Sequence, residues 1–152
     1  MRALVCCALM LTAVVLTLSP ATADTVNVTF CRDGSGYLSG RTVNGAATPS
    51  AAINLMLQGP SAEEAAAGIY SAIPEGTKLL SVQQVGKGVD IELSDEVLVG
   101  LDDLRCETIF KQFLYTMEQF GLGARVHVLV DGKPLSSYLA PLPPAVYAAP
   151  VK

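Results

Sequence analysis

The chain has 152 residues, a length that indicates one domain rather than several. Half of the residues are hydrophobic, tryptophan is absent and the formal net charge is −4 at pH 7. This acidic balance argues against nucleic acid and against an anionic lipid surface as partners.

The N-terminal stretch has the organisation of a secretory signal peptide, with the sequence MRALVCCALMLTAVVLTLSPATA. Arg2 supplies the positive charge, residues 3–18 form the apolar core, and Ala21 and Ala23 frame an A-x-A cleavage site. The apolar core is shorter than the roughly 20 residues that span a bilayer. We therefore predict that residues 1–23 are a signal peptide cleaved after Ala23, which gives a secreted protein without membrane attachment. An uncleaved anchor is the alternative.

Export affects the interpretation of two cysteines, Cys31 and Cys106, which lie beyond the predicted signal peptide. Oxidising compartments permit disulfides, so the sequence favours a disulfide between them. The alternative is two separate buried thiols, because cysteine is a good small core residue. Two cysteines and a single histidine argue against a metal site.

The mature chain begins with a predicted strand followed by a predicted loop. Polar and apolar residues alternate in residues 24–30 (DTVNVTF), as in a strand with one buried face. Residues 31–47 are rich in glycine and indicate a loop, with a short extended piece at residues 41–43.

Two helices are predicted next from their start and stop residues. Thr48 followed by proline is typical of a helix start, and Gly59-Pro60 ends that helix. Ser61 and Glu64 have the spacing of a capping box, which begins a second, short helix that ends before Pro74.

The second half of the domain is predicted as a hairpin, a long helix and a strand. Residues 77–85 and 89–94 are strands joined by a tight glycine-containing turn. Residues 102–120 form the strongest helix, and residues 125–130 form the last strand. The helix carries an apolar stripe at helical spacing, made of Cys106, Ile109, Phe110, Phe113, Met117 and Phe120.

The resulting order is β-α-(α)-β-β-α-β, and each strand has one apolar and one polar face. This pattern predicts an α/β (α+β) two-layer sandwich, a mixed four-stranded sheet with helices on one face only. The open face is the candidate interaction face, with Thr29, Asp90, Glu92, Arg125 and His127. Residues 136–152 are rich in proline and alanine and are predicted to be an extended tail or linker.

The polar residues of the open face do not match a known catalytic or metal-binding pattern. Asp90 and Glu92 lie two residues apart on a strand, whereas calcium needs six to eight oxygens from a shaped loop. His127 has these carboxylates as its only candidate partners, and the chain has no G-x-S-x-G nucleophile motif. We therefore predict that the protein is not an enzyme and has no catalytic residues, cofactor or metal.

Four segments resemble the GerMN domain in order and spacing: AAINLMLQGPS, AIPEGTKLLSV, VDIELSDE and FLYTMEQFGLGARVHVLVDGKPL. The GerMN domain is the sporulation and spore-germination domain of exported bacterial proteins. The resemblance covers roughly residues 26–135, so residues 24–135, between the predicted signal peptide and the tail, are predicted to be a GerMN-like domain.

The resemblance implies a non-enzymatic scaffold or interaction domain of the bacterial cell envelope. Its partners would be other envelope proteins, including copies of itself, in an extracytoplasmic location. The alternative is a peptidoglycan-associated accessory module that supports a cell-wall hydrolase.

Overall fold

The computed structural model describes residues 23–139 of the chain. The predicted signal peptide up to residue 22, and the part of the predicted tail from residue 140, lie outside the described residues. Two 3-10 turns lie at Asp95–Leu98 and Leu135–Tyr138. The other elements, in chain order, are β1 (Ala23–Arg32), β2 (Ser35–Asn44), α1 (Pro49–Leu57), α2 (Ala62–Ala66), β3 (Leu79–Val85), β4 (Gly88–Leu93), α3 (Asp103–Glu118), β5 (Arg125–Val130) and β6 (Lys133–Pro134).

A mixed sheet in the order β3-β4-β5-β6 forms one part of the domain. β3 and β4 are an antiparallel hairpin, and β4 is parallel to β5 because α3 makes the long connection that parallel strands need. α1 contacts β3 and α3 contacts β5, so these helices cover one face. The predicted α+β class and mixed four-stranded sheet are confirmed. The inward residues are Val89, Ile91, Leu93, Val126, Val128 and Val130, all buried.

β1 does not join this sheet but pairs along its whole length with β2, in a separate antiparallel hairpin. The prediction of a loop over residues 31–47 is therefore wrong for most of that segment. The turn residues Asp33 and Gly34 both have positive φ angles, 50° and 76°, as a type I′ turn requires. The fourth strand of the mixed sheet is instead the two-residue β6.

Two glutamines, Gln112 within α3 and Gln119 just after its end, attach the helix to the rest of the domain through backbone groups. Gln112 is buried; its Oε1 accepts a hydrogen bond from Ala72 N (2.8 Å), and its Nε2 donates one to Thr29 O (2.9 Å). Gln119 is exposed; its Oε1 accepts from Asn27 N (2.9 Å) and its Nε2 donates to Asn27 O (2.7 Å). Both side chains therefore bind the β1 backbone.

The apolar stripe of α3 is narrower than the sequence predicts. Ile109, Phe113 and Met117 are fully buried, whereas Phe110 is 40% exposed. Cys106 and Phe120 are half-buried. Phe110 lies about 100° around the helix from Ile109, at the edge of the buried face.

An ion pair joins α2 to the β1–β2 hairpin. Arg41 Nη2 lies 2.5 Å from Glu64 Oε2, and their side chains are only 21% and 14% exposed. The hydroxyl of Ser39 bridges the pair, accepting from Arg41 and donating to Glu64. The Arg41 guanidinium also lies 5.3 Å from the centre of the Phe30 ring. The hydrogen bond from Arg41 lowers the pKa of Glu64 to about 2.

We expect Glu64→Gln to lower the free energy of unfolding by roughly 1–2 kcal/mol at pH 7, because a charge-assisted hydrogen bond is lost. Glutamine can still form the capping box with Ser61, so the change isolates the charge. The pKa of Glu64 is about 2 in the folded state and ordinarily 4.5. The stabilisation is therefore complete above about pH 4.5 and is lost as the pH falls towards 2.

Urea unfolding of both proteins at pH 7 and at pH 2.5 measures this effect of Glu64. The difference in stability between wild type and variant should shrink at the lower pH. An equal difference at both pH values would contradict a charge-dependent role.

The last described residues pack against the domain. Leu135 is buried, and Tyr138 Oη donates a hydrogen bond to Val130 O (2.9 Å). The fold therefore continues through the Leu135–Tyr138 turn, beyond residue 136, where the predicted tail begins.

Candidate functional site

Four of the five residues of the predicted interaction face lie on the open face of the mixed sheet. Asp90 and His127 are register partners, and Asp90 Oδ1 lies 2.9 Å from His127 Nδ1. Glu92 Oε1 accepts a hydrogen bond from Gly132 N (3.0 Å). Arg125 is exposed at the beginning of β5. The Asp90–His127 contact joins β4 to β5 across this polar surface.

Thr29 does not lie on this face, contrary to the prediction. It belongs to β1, the residue is 2% exposed, and its backbone N–H donates to Thr116 Oγ1 of α3 (3.0 Å). Alternation predicts one polar face for this strand. Residues 28–31 of β1 are nevertheless buried on both faces, because β1 packs against α1 and α3.

The contact between His127 and Asp90 is an exposed hydrogen-bonded pair. The side chains of His127 and Asp90 are 52% and 36% exposed, so water reaches both. Within residues 23–139, no cluster of three or more His, Cys, Asp or Glu side chains is placed to hold a metal ion. In the same part of the chain, none of the helices has the length and apolar character needed to cross a bilayer.

Cys31 and Cys106 are free thiols, so the predicted disulfide is not present in this structure. Cys31 is buried on β1, and Cys106 is half-buried on α3. Each lines a different groove beside α3. Burial raises the pKa of both thiols, and the negative charge of Asp103 raises the pKa of Cys106 further.

An apolar groove between α3 and β5 is the main surface feature that the sequence did not predict. It has a volume of about 400 Å³. Asp103 and Glu107 line its α3 side, and His127 connects it with the open face of the sheet. We call it the α3–β5 groove. Its apolar lining comes from Cys106, Phe110, Val126, Val128, Leu135 and Leu139.

The outer edge of β5 runs along this groove without a full strand partner. β6 pairs only with Leu129 and Val130, so in the described part of the chain residues 125–128 have no strand on that side. Pro134 explains the short pairing, because proline cannot donate a ladder hydrogen bond. Pro134 is therefore the sequence feature that indicates an open edge here. An open edge can accept an extended segment by strand addition.

A second groove lies on the other side of α3, against the turn of the β1–β2 hairpin. It has a volume of about 390 Å³ and is lined by Cys31, Tyr70, Lys111 and Tyr115, among others. Tyr70 and Tyr115 are 48% and 42% exposed. Lys111 Nζ is held by Glu107 at 2.6 Å. We call it the hairpin groove.

The fold and these surfaces define a small α+β domain with a groove on each side of α3. The sequence profile of the Germane family, described as sporulation and spore germination, matches residues 33–136. The chain belongs to this GerMN-type family, which is not a known enzyme family. The predicted resemblance to the GerMN domain is confirmed.

Two solved structures share the fold. The tandem GerMN domains of the sporulation protein GerM from Bacillus subtilis have 20% sequence identity and a TM-score of 0.60; the match covers 80% of this chain and 43% of that chain. The first GerMN domain of the same protein has 18% identity and a TM-score of 0.54, covering 74% and 86% of the respective chains. This chain thus spans less than half of the tandem-domain structure. No curated protein matches it.

Proposed function

We propose that this protein is an exported scaffold or interaction domain of the bacterial cell envelope, without catalytic activity or cofactor. It binds other envelope proteins, including copies of itself. Membership of the GerMN-type family supports a role in sporulation or spore germination. The predicted signal peptide supports an extracytoplasmic location, and the net charge of −4 supports a partner other than nucleic acid or anionic lipid.

One observation carries this proposal: the unpaired edge of β5 lies beside an apolar groove. A partner segment in extended conformation can form main-chain hydrogen bonds with residues 125–128. Its alternate side chains then enter the α3–β5 groove, where Phe110 offers apolar surface that is 40% exposed. His127 and Asp90 flank this contact with polar groups. The surface thus combines an apolar centre with a polar surround, as protein interfaces do.

We expect Phe110→Asp to weaken self-association at least tenfold, because a charge replaces apolar surface in the centre of the α3–β5 groove and lies near Asp103 and Glu107. The stability of the monomer should change by less than about 1 kcal/mol, since the site is partly exposed. Light scattering coupled to size-exclusion chromatography over a range of concentrations measures the association. Val99→Asp is the matched control, because Val99 is 65% exposed and does not line this groove.

A wild type that stays monomeric at all concentrations would contradict self-association. An equal effect of Phe110→Asp and Val99→Asp would contradict the assignment to this groove.

The alternative function, a peptidoglycan-associated accessory module, is favoured by the hairpin groove. The exposed rings of Tyr70 and Tyr115 provide amphipathic aromatic surface of the kind that contacts the apolar faces of sugar rings. Sedimentation of a monomeric wild-type protein with purified peptidoglycan would support this alternative over the docking role.

A further inference from the structure

The described chain leaves the domain within the α3–β5 groove. Leu139 is the last described residue, and it lines the groove together with Leu135. Pro134 is the register partner of Leu129, so the chain arrives at the groove near the C-terminal end of β5. The next thirteen residues, 140–152, have the sequence APLPPAVYAAPVK.

We propose that residues 140–152 dock in the α3–β5 groove of the same molecule and cover the open edge of β5. The proposal rests on the docking role described above, and it names the segment that occupies the docking surface when no partner is bound. Another envelope protein must then displace this segment to reach the groove.

The segment is long enough to cover the groove. A proline-rich chain extends by about 3.1 Å per residue, so thirteen residues reach about 40 Å. The open edge of β5 has four residues, 125–128, which at about 3.3 Å per residue span about 13 Å. A segment that continues from Leu139 towards Arg125 runs antiparallel to β5, as β6 does.

The chemistry of the segment also matches the groove. It has no acidic residue and one basic residue, Lys152, so the carboxylates of Asp103 and Glu107 do not repel it. Its prolines restrict φ and lower the entropy lost on docking. Ala140 and Leu142 keep their backbone N–H groups and alternate with Pro141 and Pro143, so alternate residues within the span of the edge can donate hydrogen bonds to β5. Its apolar side chains that fit the groove lining are Leu142, Val146, Tyr147 and Val151.

Cys106 provides a native probe of the docking, because it lines the groove. In a full chain that carries Cys6→Ala, Cys7→Ala and Cys31→Ala, Cys106 is the one remaining native cysteine. Adding Leu142→Cys, three residues beyond Leu139, and oxidising dilute protein with copper phenanthroline should give a disulfide within one molecule, detected by mass spectrometry and by mobility without reductant. The matched control carries Val99→Cys in place of Leu142→Cys and should give none.

A second readout needs no added cysteine. In the same triple-alanine chain, truncation after Leu139 should increase the rate of Cys106 alkylation by iodoacetamide at least fivefold, because the segment no longer covers the thiol.

A disulfide between two molecules would overturn docking within one molecule and assign the groove to the segment of a second copy. Absence of the cross-link together with an unchanged alkylation rate would overturn the proposal altogether. The chain truncated after Leu139 separates the two proposals, because its association, and the loss of that association in Phe110→Asp, test the docking role whether or not the tail occupies the groove.

Discussion

Replacing Gly88 by alanine is expected to destabilise the domain by roughly 3 kcal/mol, the upper part of the range for an overpacked core. A Cβ atom at Gly88 would lie 2.6 Å from the carbonyl oxygen of Arg125 and 2.9 Å from its Cβ. Gly88 and Arg125 are register partners in the parallel β4–β5 pair. The obstructing atoms belong mainly to the backbone, so a side-chain rotation cannot relieve the clash, and the two strands must separate locally.

Urea unfolding followed by circular dichroism measures the effect of Gly88→Ala. Gly40→Ala is the matched control within a strand, because a Cβ there would meet only Thr25 Cγ2, at an ordinary distance of 3.7 Å. We expect that control to change the stability by less than about 1 kcal/mol. Similar losses of stability in both variants would show that the close approach of β5 is not the reason why position 88 has no side chain.

Features of the fold that depend on neighbouring residues were predicted from the sequence. Thr48 accepts a hydrogen bond from Ala51 N, and Ser61 and Glu64 form a complete capping box. Alternation along β4 and β5 also predicted their buried faces. Such features depend on hydrogen bonds within a few residues or on a simple period, and both are visible in the sequence.

Features that depend on distant residues were not predicted. Which sheet β1 joins is decided by its pairing with β2, and the glycines of β2 resemble those of a loop. The Asp33-Gly34 pair is a strong hairpin signal, and the prediction of a loop did not take it into account. The burial of Thr29 depends on α3, which lies more than 70 residues further along the chain.

The candidate site was also predicted only where it depends on a local pattern. Asp90 and His127 were placed on one face because alternation on each strand predicts it, and the parallel register then brings them into contact. The α3–β5 groove has no comparable pattern in the sequence. It forms where Phe110 of α3, the β5 edge and the final turn meet, and those contacts arise only on folding.

Gln112→Leu is expected to destabilise the domain by roughly 2–4 kcal/mol. Leucine has a similar volume but leaves Ala72 N and Thr29 O without hydrogen-bond partners in the interior, at about 1–3 kcal/mol for each unpaired group. Both residues are buried, at 7% and 2% exposure, so water does not replace the amide. The glutamine thus holds β1 and the segment around Ala72 to α3 at the same time.

Gln119→Leu is the matched control for Gln112→Leu, because Gln119 makes two equivalent bonds to the backbone of Asn27 from an exposed position. Water can satisfy the freed groups there, so we expect a loss below about 1 kcal/mol. Urea unfolding measures both variants, and hydrogen exchange at the Ala72 amide should accelerate in Gln112→Leu alone. Equal losses in the two variants would mean that burial does not decide the contribution of these amides. The attachment of the hairpin to α3 would then depend on apolar packing around β1 instead.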